Sequence, residues 1–165
     1  MVRAEWAIFD EDFWAINNVL DDLLKSSKAG NVMLIDRTGQ LVSHCGPDVD
    51  FDLTSFASLC AADFEANYQL AKLIGEKDFS TLYHQGAKDS MFLGKIHKGV
   101  ILVVLFDKTT TLGLVRLRVK RAVDELNRII ETLYEKLQYR NEEYDALDET
   151  FTREVEAEID NLFAD

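Results

Sequence analysis

Three apolar runs, FSTLYHQ at 79–85, SMFLGKI at 90–96 and VILVVLF at 100–106, follow one another with only four and three residues between them. A parallel pair needs a crossover of a dozen residues or more, so connections this short force neighbouring strands to run antiparallel. Upstream, NVMLIDRTGQLVSHC at 31–45 reads as a strand, a tight turn in which Gly39 is free to take positive φ, and a second strand. One five-stranded antiparallel sheet is therefore expected.

Helical spacing surrounds these strands. Asp10 is placed as an N-cap, Phe9 and Trp14 as a hydrophobic staple, and Phe13, Ile16, Leu20, Leu23 and Leu24 recur at intervals of three and four until Gly30 ends the pattern. Residues 52–74 form a long helix closed by Gly75, and from Leu112 a last helix carries Val115, Val119, Ala122, Leu126, Ile129, Leu133 and Leu137. The order is α-ββ-α-βββ-α, an α/β chain of the α+β sandwich kind. A domain over 1–140 is expected, followed by an acidic extension over 141–165.

The central helix carries two apolar stripes: Phe56, Leu59, Ala66, Leu70 and Leu73 on one face, and Ala57, Ala61, Phe64, Tyr68 and Ala71 on another. A helix in a small domain has one sheet to face. The alanine-rich stripe suggests close approach by the same helix of a second subunit, with Ala57, Phe64, Tyr68 and Ala71 as the dimer interface. The alternative is burial under other parts of its own chain.

Charge narrows the function classes. The net charge is −12, and residues 141–165 alone hold ten acidic residues and one arginine. An acidic chain repels phosphate backbones, which counts against nucleic acid. The start MVRAEWAIFDEDF lacks the continuous apolar core of a signal peptide, and VILVVLF is too short to span a bilayer. Cys45 and Cys60 lack CxxC spacing and read as small core residues of a protein in the reducing cytoplasm.

Catalytic signatures are missing. No GxxxxGK or GxGxxG occurs to aim backbone N–H groups at phosphates, and no GxSxG places a nucleophile. His44, His84 and His97 are scattered without HxxxH or HExxH spacing, so neither a metal nor a cofactor is expected. His44 and Cys45 are adjacent in a strand and point to opposite faces, which disfavours a thiolate–imidazole pair. The expectation is a non-enzyme.

One cationic cluster stands out. Arg116, Arg118, Lys120 and Arg121 crowd the first turns of the last helix, where cations oppose the macrodipole. They could meet an anionic partner surface, pair with the acidic tail, contact a nucleotide held by a partner, or form a solvated face.

The stretches NVMLIDRTGQLVS, TSFASLCAADFEANYQLAKLIGEKDF, HQGAKDSMFL and VILVVLFDKTTTLGLVRLRVKRAVDEL, with EIDNLF near the end, together resemble the Roadblock/LC7 superfamily. The resemblance implies a homodimer built through the central helix and the adjoining strand, with one sheet continuous across two subunits. It also implies a regulator that binds a GTP-loaded Ras-like polarity GTPase of the MglA type, activates hydrolysis by reshaping the partner's switch elements without an arginine finger, and gathers at a cell pole. Its GTPase-facing platform maps onto Ala61, Ala62, Glu65, Ala66, Gln69 and Lys72, with Arg116, Arg118, Lys120 and Arg121 as a second group. Two other classes compete: a non-activating Roadblock scaffold, and a small-molecule sensor, which would need a cavity with convergent polar groups.

The tail also has a pattern. Leu147, Phe151, Val155, Ile159 and Phe163 recur every four residues, with Leu162 beside the last, and trace one apolar stripe on an amphipathic helix. It either packs on its own domain or lays Phe151, Val155, Ile159, Leu162 and Phe163 into a groove on the GTPase.

Overall fold

A computed structural model of the chain describes the backbone of residues 10–162 and the side chains of 10–140 and 150–157. The elements are α1 (Asp10–Ser27), β1 (Asn31–Ile35), β2 (Leu41–Cys45), α2 (Leu53–Leu73), β3 (Thr81–Gln85), β4 (Ser90–Lys95), a 3-10 turn (His97–Gly99), β5 (Ile101–Phe106) and α3 (Leu112–Leu162). Two compact units divide the chain, Met1–Ile130 and Glu131–Asp165.

All five strands join one sheet in the order β2-β1-β5-β4-β3, antiparallel throughout as the short connections require. Register sorts its side chains. Val32, Val104 and Phe92 stand opposite one another, as do Leu34, Leu102 and Gly94, and these share a face with α1 and α3. The placement of α1 follows from Ser43, paired with Leu34, whose hydroxyl donates to Asn17 Oδ1. The placement of α3 follows from Val119 and Val123, which pack over Gly94. On the opposite face Met33, Ile35, Leu93, Ile101 and Val103 form a core with Ala57 and Cys60 of α2. The central strands are covered on both sides, which is why VILVVLF is continuously apolar rather than alternating.

In α1 the buried residues are Ile16, Leu20, Leu23 and Ser27, while Asp10, Glu11 and Asp12 place negative charge at the positive end of the helix. Trp14 is exposed, and its expected staple partner Phe9 lies outside the described residues. The helix stops earlier than Gly30. Lys28 takes the left-handed turn, with φ 57°, and Ala29 N–H closes back on Leu24 O, so a lysine does what the sequence assigned to a glycine.

At the β1–β2 turn the Asp36 carboxylate accepts from Thr38 N, Thr38 Oγ1 and Gln40 N at 2.8, 2.6 and 3.0 Å. Gly39 sits at φ +87°, and a Cβ there would lie 2.8 Å from Ser58 Cα of α2. Gly39→Ala therefore meets both left-handed strain and a backbone clash, expected at about 2–3 kcal/mol. Gly75, at φ +83° with nothing within 4 Å, meets strain alone. Thermal unfolding of the two alanine variants checks this: Gly39→Ala should lose at least twice the stability lost by Gly75→Ala.

Asp52 caps α2, accepting from Ser55 N at 2.9 Å and from the Ser55 hydroxyl at 2.5 Å. Those bonds favour the ionised form and hold its carboxyl below the ordinary 3.8. A depressed folded-state value contributes stability above the unfolded value and loses it as pH falls through the folded one. The first turn of α2 should therefore fray below about pH 3.8, read as faster amide exchange at Ser55, and Asp52→Asn, which caps without titrating, should abolish the pH dependence.

The expected last helix and the expected C-terminal amphipathic helix are one element, α3, 51 residues long. No glycine or proline occurs after Gly113 to stop it. Within the first unit it buries Val115, Val119, Ala122, Leu126 and Ile130, the last in place of the expected Ile129. In the second unit Thr150–Ala157 are exposed throughout.

Candidate partner-binding surface

The two stripes of α2 fall on opposite sides of the helix, and the alanine-rich one faces the chain's own sheet. Ala57, Cys60 and Ala71 are fully buried, and Ala61 and Phe64 pack against the same core. This corrects the expected dimer interface: Ala57 and Ala71 have no surface to give a partner, and Phe64 is already engaged. Small side chains are needed there because the β1–β2 turn and the strands approach the helix axis closely, as the Gly39–Ser58 contact records. Tyr68, half-buried, lies beside Phe64 in a cleft of ≈ 260 Å³ with Arg37 and Phe79.

Of the other stripe Phe56 packs against the core, and the remainder is left uncovered. Leu59, Leu70 and Leu73 are 70%, 54% and 82% exposed, with Ile74 at 70%. At 100° per residue Leu59, Ala66, Leu70 and Leu73 lie within one narrow sector, and Ala62, Glu65, Gln69 and Lys72 lie on the flank beside it. The flank is ordered by local bonds: Gln69 Nε2 donates to Glu65 Oε1 at 2.7 Å, and Lys72 Nζ stands 4.2 Å from the centre of the Tyr68 ring. Of the six expected platform residues, five are exposed, and Ala61 is partly turned into the core.

Beside this helix the sheet has an open edge. β3 pairs only with β4, so the outer backbone groups of Thr81–Gln85 have no neighbour strand among the described residues. Asp63 of α2 reaches that strand, its carboxylate 2.7 Å from His84 Nε2. An aliphatic helix stripe and an unpaired strand edge thus stand next to each other, an arrangement that a second chain can extend as a sheet and cover as a helix pair.

The basic cluster lies on the far side of the sheet, on α3, so the two groups of expected contact residues are not brought together. They also separate from each other. Arg116 and Lys120 border β3 and β4, whereas Arg118 and Arg121 line a small niche against Asp22, Leu23 and Ser26 of α1. Arg118 is half-buried and its Nε has no hydrogen-bond partner among the described residues.

Reactive groups are quiet. Burial pushes the Cys60 thiol up to about 11, and burial followed by the Asp21 charge raises Cys45. His44 meets Asn31 Oδ1 at 2.6 Å, a pairing within the β1–β2 edge. Among the described residues no three His, Cys, Asp or Glu come together as a metal could require, and no helix is long and apolar enough to cross a membrane. Of the tail residues, Phe151 and Val155 are exposed; the side chains of Ile159 and Leu162, and Phe163 altogether, lie outside the described residues.

Sequence reasoning did not single out Leu59, Leu70, Leu73 and Ile74 as the free surface. The signal that could have found them is size: bulky aliphatics cannot fit where a helix sits tight on a turn.

The described residues thus combine a five-stranded antiparallel sheet with an open edge and a helix presenting an exposed aliphatic stripe. The profile of the Roadblock/LC7 domain matches residues 15–106. The chain belongs to the Roadblock/LC7 family. Among solved structures it is similar to Myxococcus xanthus MglB, with 48% identity over 77% of this chain and 96% of that one at a TM-score of 0.73. It is also similar to the gliding protein MglB of Thermus thermophilus, with 32% identity over 76% and 95% of the two chains at a TM-score of 0.72. A Roadblock/LC7 domain from Streptomyces avermitilis, 15% identical over 76% and 96% with a TM-score of 0.55, shares the fold. A comparison with curated protein sequences finds no match.

Proposed function

We propose that this chain is a homodimeric activator of a Ras-like GTPase of the MglA type, acting in the cytoplasm of a bacterium in cell polarity and gliding motility, with enrichment at a cell pole. The observation that carries the reading is the exposed stripe of α2 beside the open β3 edge, in a chain 48% identical to an MglB. Two copies pair β3 to β3 and cover Leu59, Ala66, Leu70 and Leu73 with each other. The flanks bearing Ala62, Glu65, Gln69 and Lys72 then form one platform for a single GTP-loaded GTPase.

Residues 1–140 act as the Roadblock domain and 141–165 as an extension whose Phe151, Val155, Ile159, Leu162 and Phe163 dock in a groove on the GTPase. This chain performs no chemistry of its own. It binds the hydrolysis-competent arrangement of the partner's switches better than the resting one and so raises its population. Arg116, Arg118, Lys120 and Arg121 stand behind the sheet from this platform, which fits activation without an inserted arginine.

Phosphate release from the GTP-loaded partner, with and without this chain, tests the reading. An acceleration of at least about a hundredfold supports it. A stable complex with hydrolysis at the GTPase's intrinsic rate would replace it with the scaffold reading.

A further inference from the structure

Two helices about 10 Å across cover roughly four strands spaced about 4.8 Å apart. On the face where α1 lies over β1 and β2 and α3 lies over β4, the fifth strand β3 is therefore left overhanging. The overhang opens a cleft of ≈ 320 Å³ between α3 and the outer strands. Its floor is apolar, with side-chain-free Gly94 set between Phe92 and Val119, and its rim carries Lys95, Arg116 and Lys120 against a single carboxylate, Asp124. Lys95 is partnered by Asp78, but Arg116 and Lys120 are exposed and form no ion pair among the described residues.

The chain also carries the complement of this cleft. Residues 141–165 hold ten carboxylates against one arginine. Within that segment Phe151 and Val155, one helical turn apart, are 66% and 37% exposed. Residues 1–140 hold 20 acidic and 17 basic residues, close to balance, so a segment this acidic is drawn to the places where unneutralised cations gather. An apolar floor with a cationic rim accepts an apolar pair flanked by carboxylates.

We propose that the Arg116/Lys120 cleft of one copy receives the Phe151–Val155 face of the C-terminal segment of a second copy. Cleft and segment are different surfaces, so two copies related by a two-fold axis make the contact twice, each placing its segment in the other's cleft. This uses the same segment face that the activator reading assigns to the GTPase, so the two engagements exclude each other. The cleft then holds the segment when no GTPase is present.

Photocrosslinking of the full chain tests this. Phe151 is replaced by benzoylphenylalanine in unlabelled chain, which is equilibrated with nitrogen-15-labelled chain, irradiated and mapped by mass spectrometry. The expected products join position 151 to residues 92–95 or 116–124 of a differently labelled copy. Their yield should fall about tenfold in Arg116→Glu/Lys120→Glu and in roughly 0.5 M salt. Arg116→Gln/Lys120→Gln should give an intermediate loss, and Lys88→Glu, on the β3–β4 loop, should leave the yield unchanged. Crosslinks confined to one copy, crosslinks to other segments, no crosslinks at all, or a yield indifferent to charge reversal would each overturn the proposal. No GTPase is present, so this outcome and that of the phosphate-release assay are independent.

Discussion

A chain carrying Leu59→Arg and Leu70→Arg is expected to run as a monomer at micromolar concentration, and the unaltered chain as the proposed dimer. Both leucines stand on the uncovered side of α2. Covering each with a second copy is worth about 1.5–3 kcal/mol per side chain, and every interface residue occurs twice in a two-fold dimer. Arginine removes that gain and would put an unpaired charge into the contact, at a further several kcal/mol. The sum exceeds about 5 kcal/mol, more than a thousandfold in the dissociation constant. Folding should be unaffected, because neither residue packs on its own core. Light scattering reads the mass and thermal unfolding the fold; a dimer of unchanged strength would show that the stripe is not the interface. Ala57→Arg offers the contrast. That side chain is fully buried, so the variant should unfold rather than dissociate.

The second large effect is on activation. Ala62→Arg places a long cation on the flank of α2, beside Glu65 and Gln69 and away from the leucines of the proposed dimer contact. Overfilling the centre of a docking surface typically costs about 2–3 kcal/mol, or roughly 30- to 150-fold in affinity for the GTPase. The dimer mass should stay the same. Retained affinity with retained dimer would move the platform elsewhere on the molecule; Ala66, which borders both the stripe and the flank, would not separate the two roles so cleanly.

Most of the sheet was legible in the sequence because loop length decides it: four residues at 86–89 and five at 96–100 leave no alternative to antiparallel pairing. The hairpin at Gly39 and the glycine after α2 were legible for a similar reason, since positive φ selects glycine. Lys28 was not, because a lysine in that conformation leaves no compositional trace. The two stripes of α2 were visible, but their assignment was not. Helical periodicity states that two faces are apolar and cannot state which one is pressed on a sheet. The deciding quantity is the clearance above the β1–β2 turn, which is a property of the fold rather than of the helix. The basic cluster shows the same limit. Four cations within six residues read as one patch, yet α3 turns Arg116 and Lys120 toward the sheet edge and Arg118 and Arg121 toward α1.

As proposed, this chain acts by preferring one state of a partner GTPase. The affinity of the intact dimer for the partner loaded with a non-hydrolysable GTP analogue, compared with GDP, measures that preference directly. A regulator that shifts the partner's equilibrium must discriminate between the states, and a useful shift requires about tenfold or more in favour of the GTP form. Equal affinity for the two forms would rule out that preference, since a protein that binds both alike changes the population of neither.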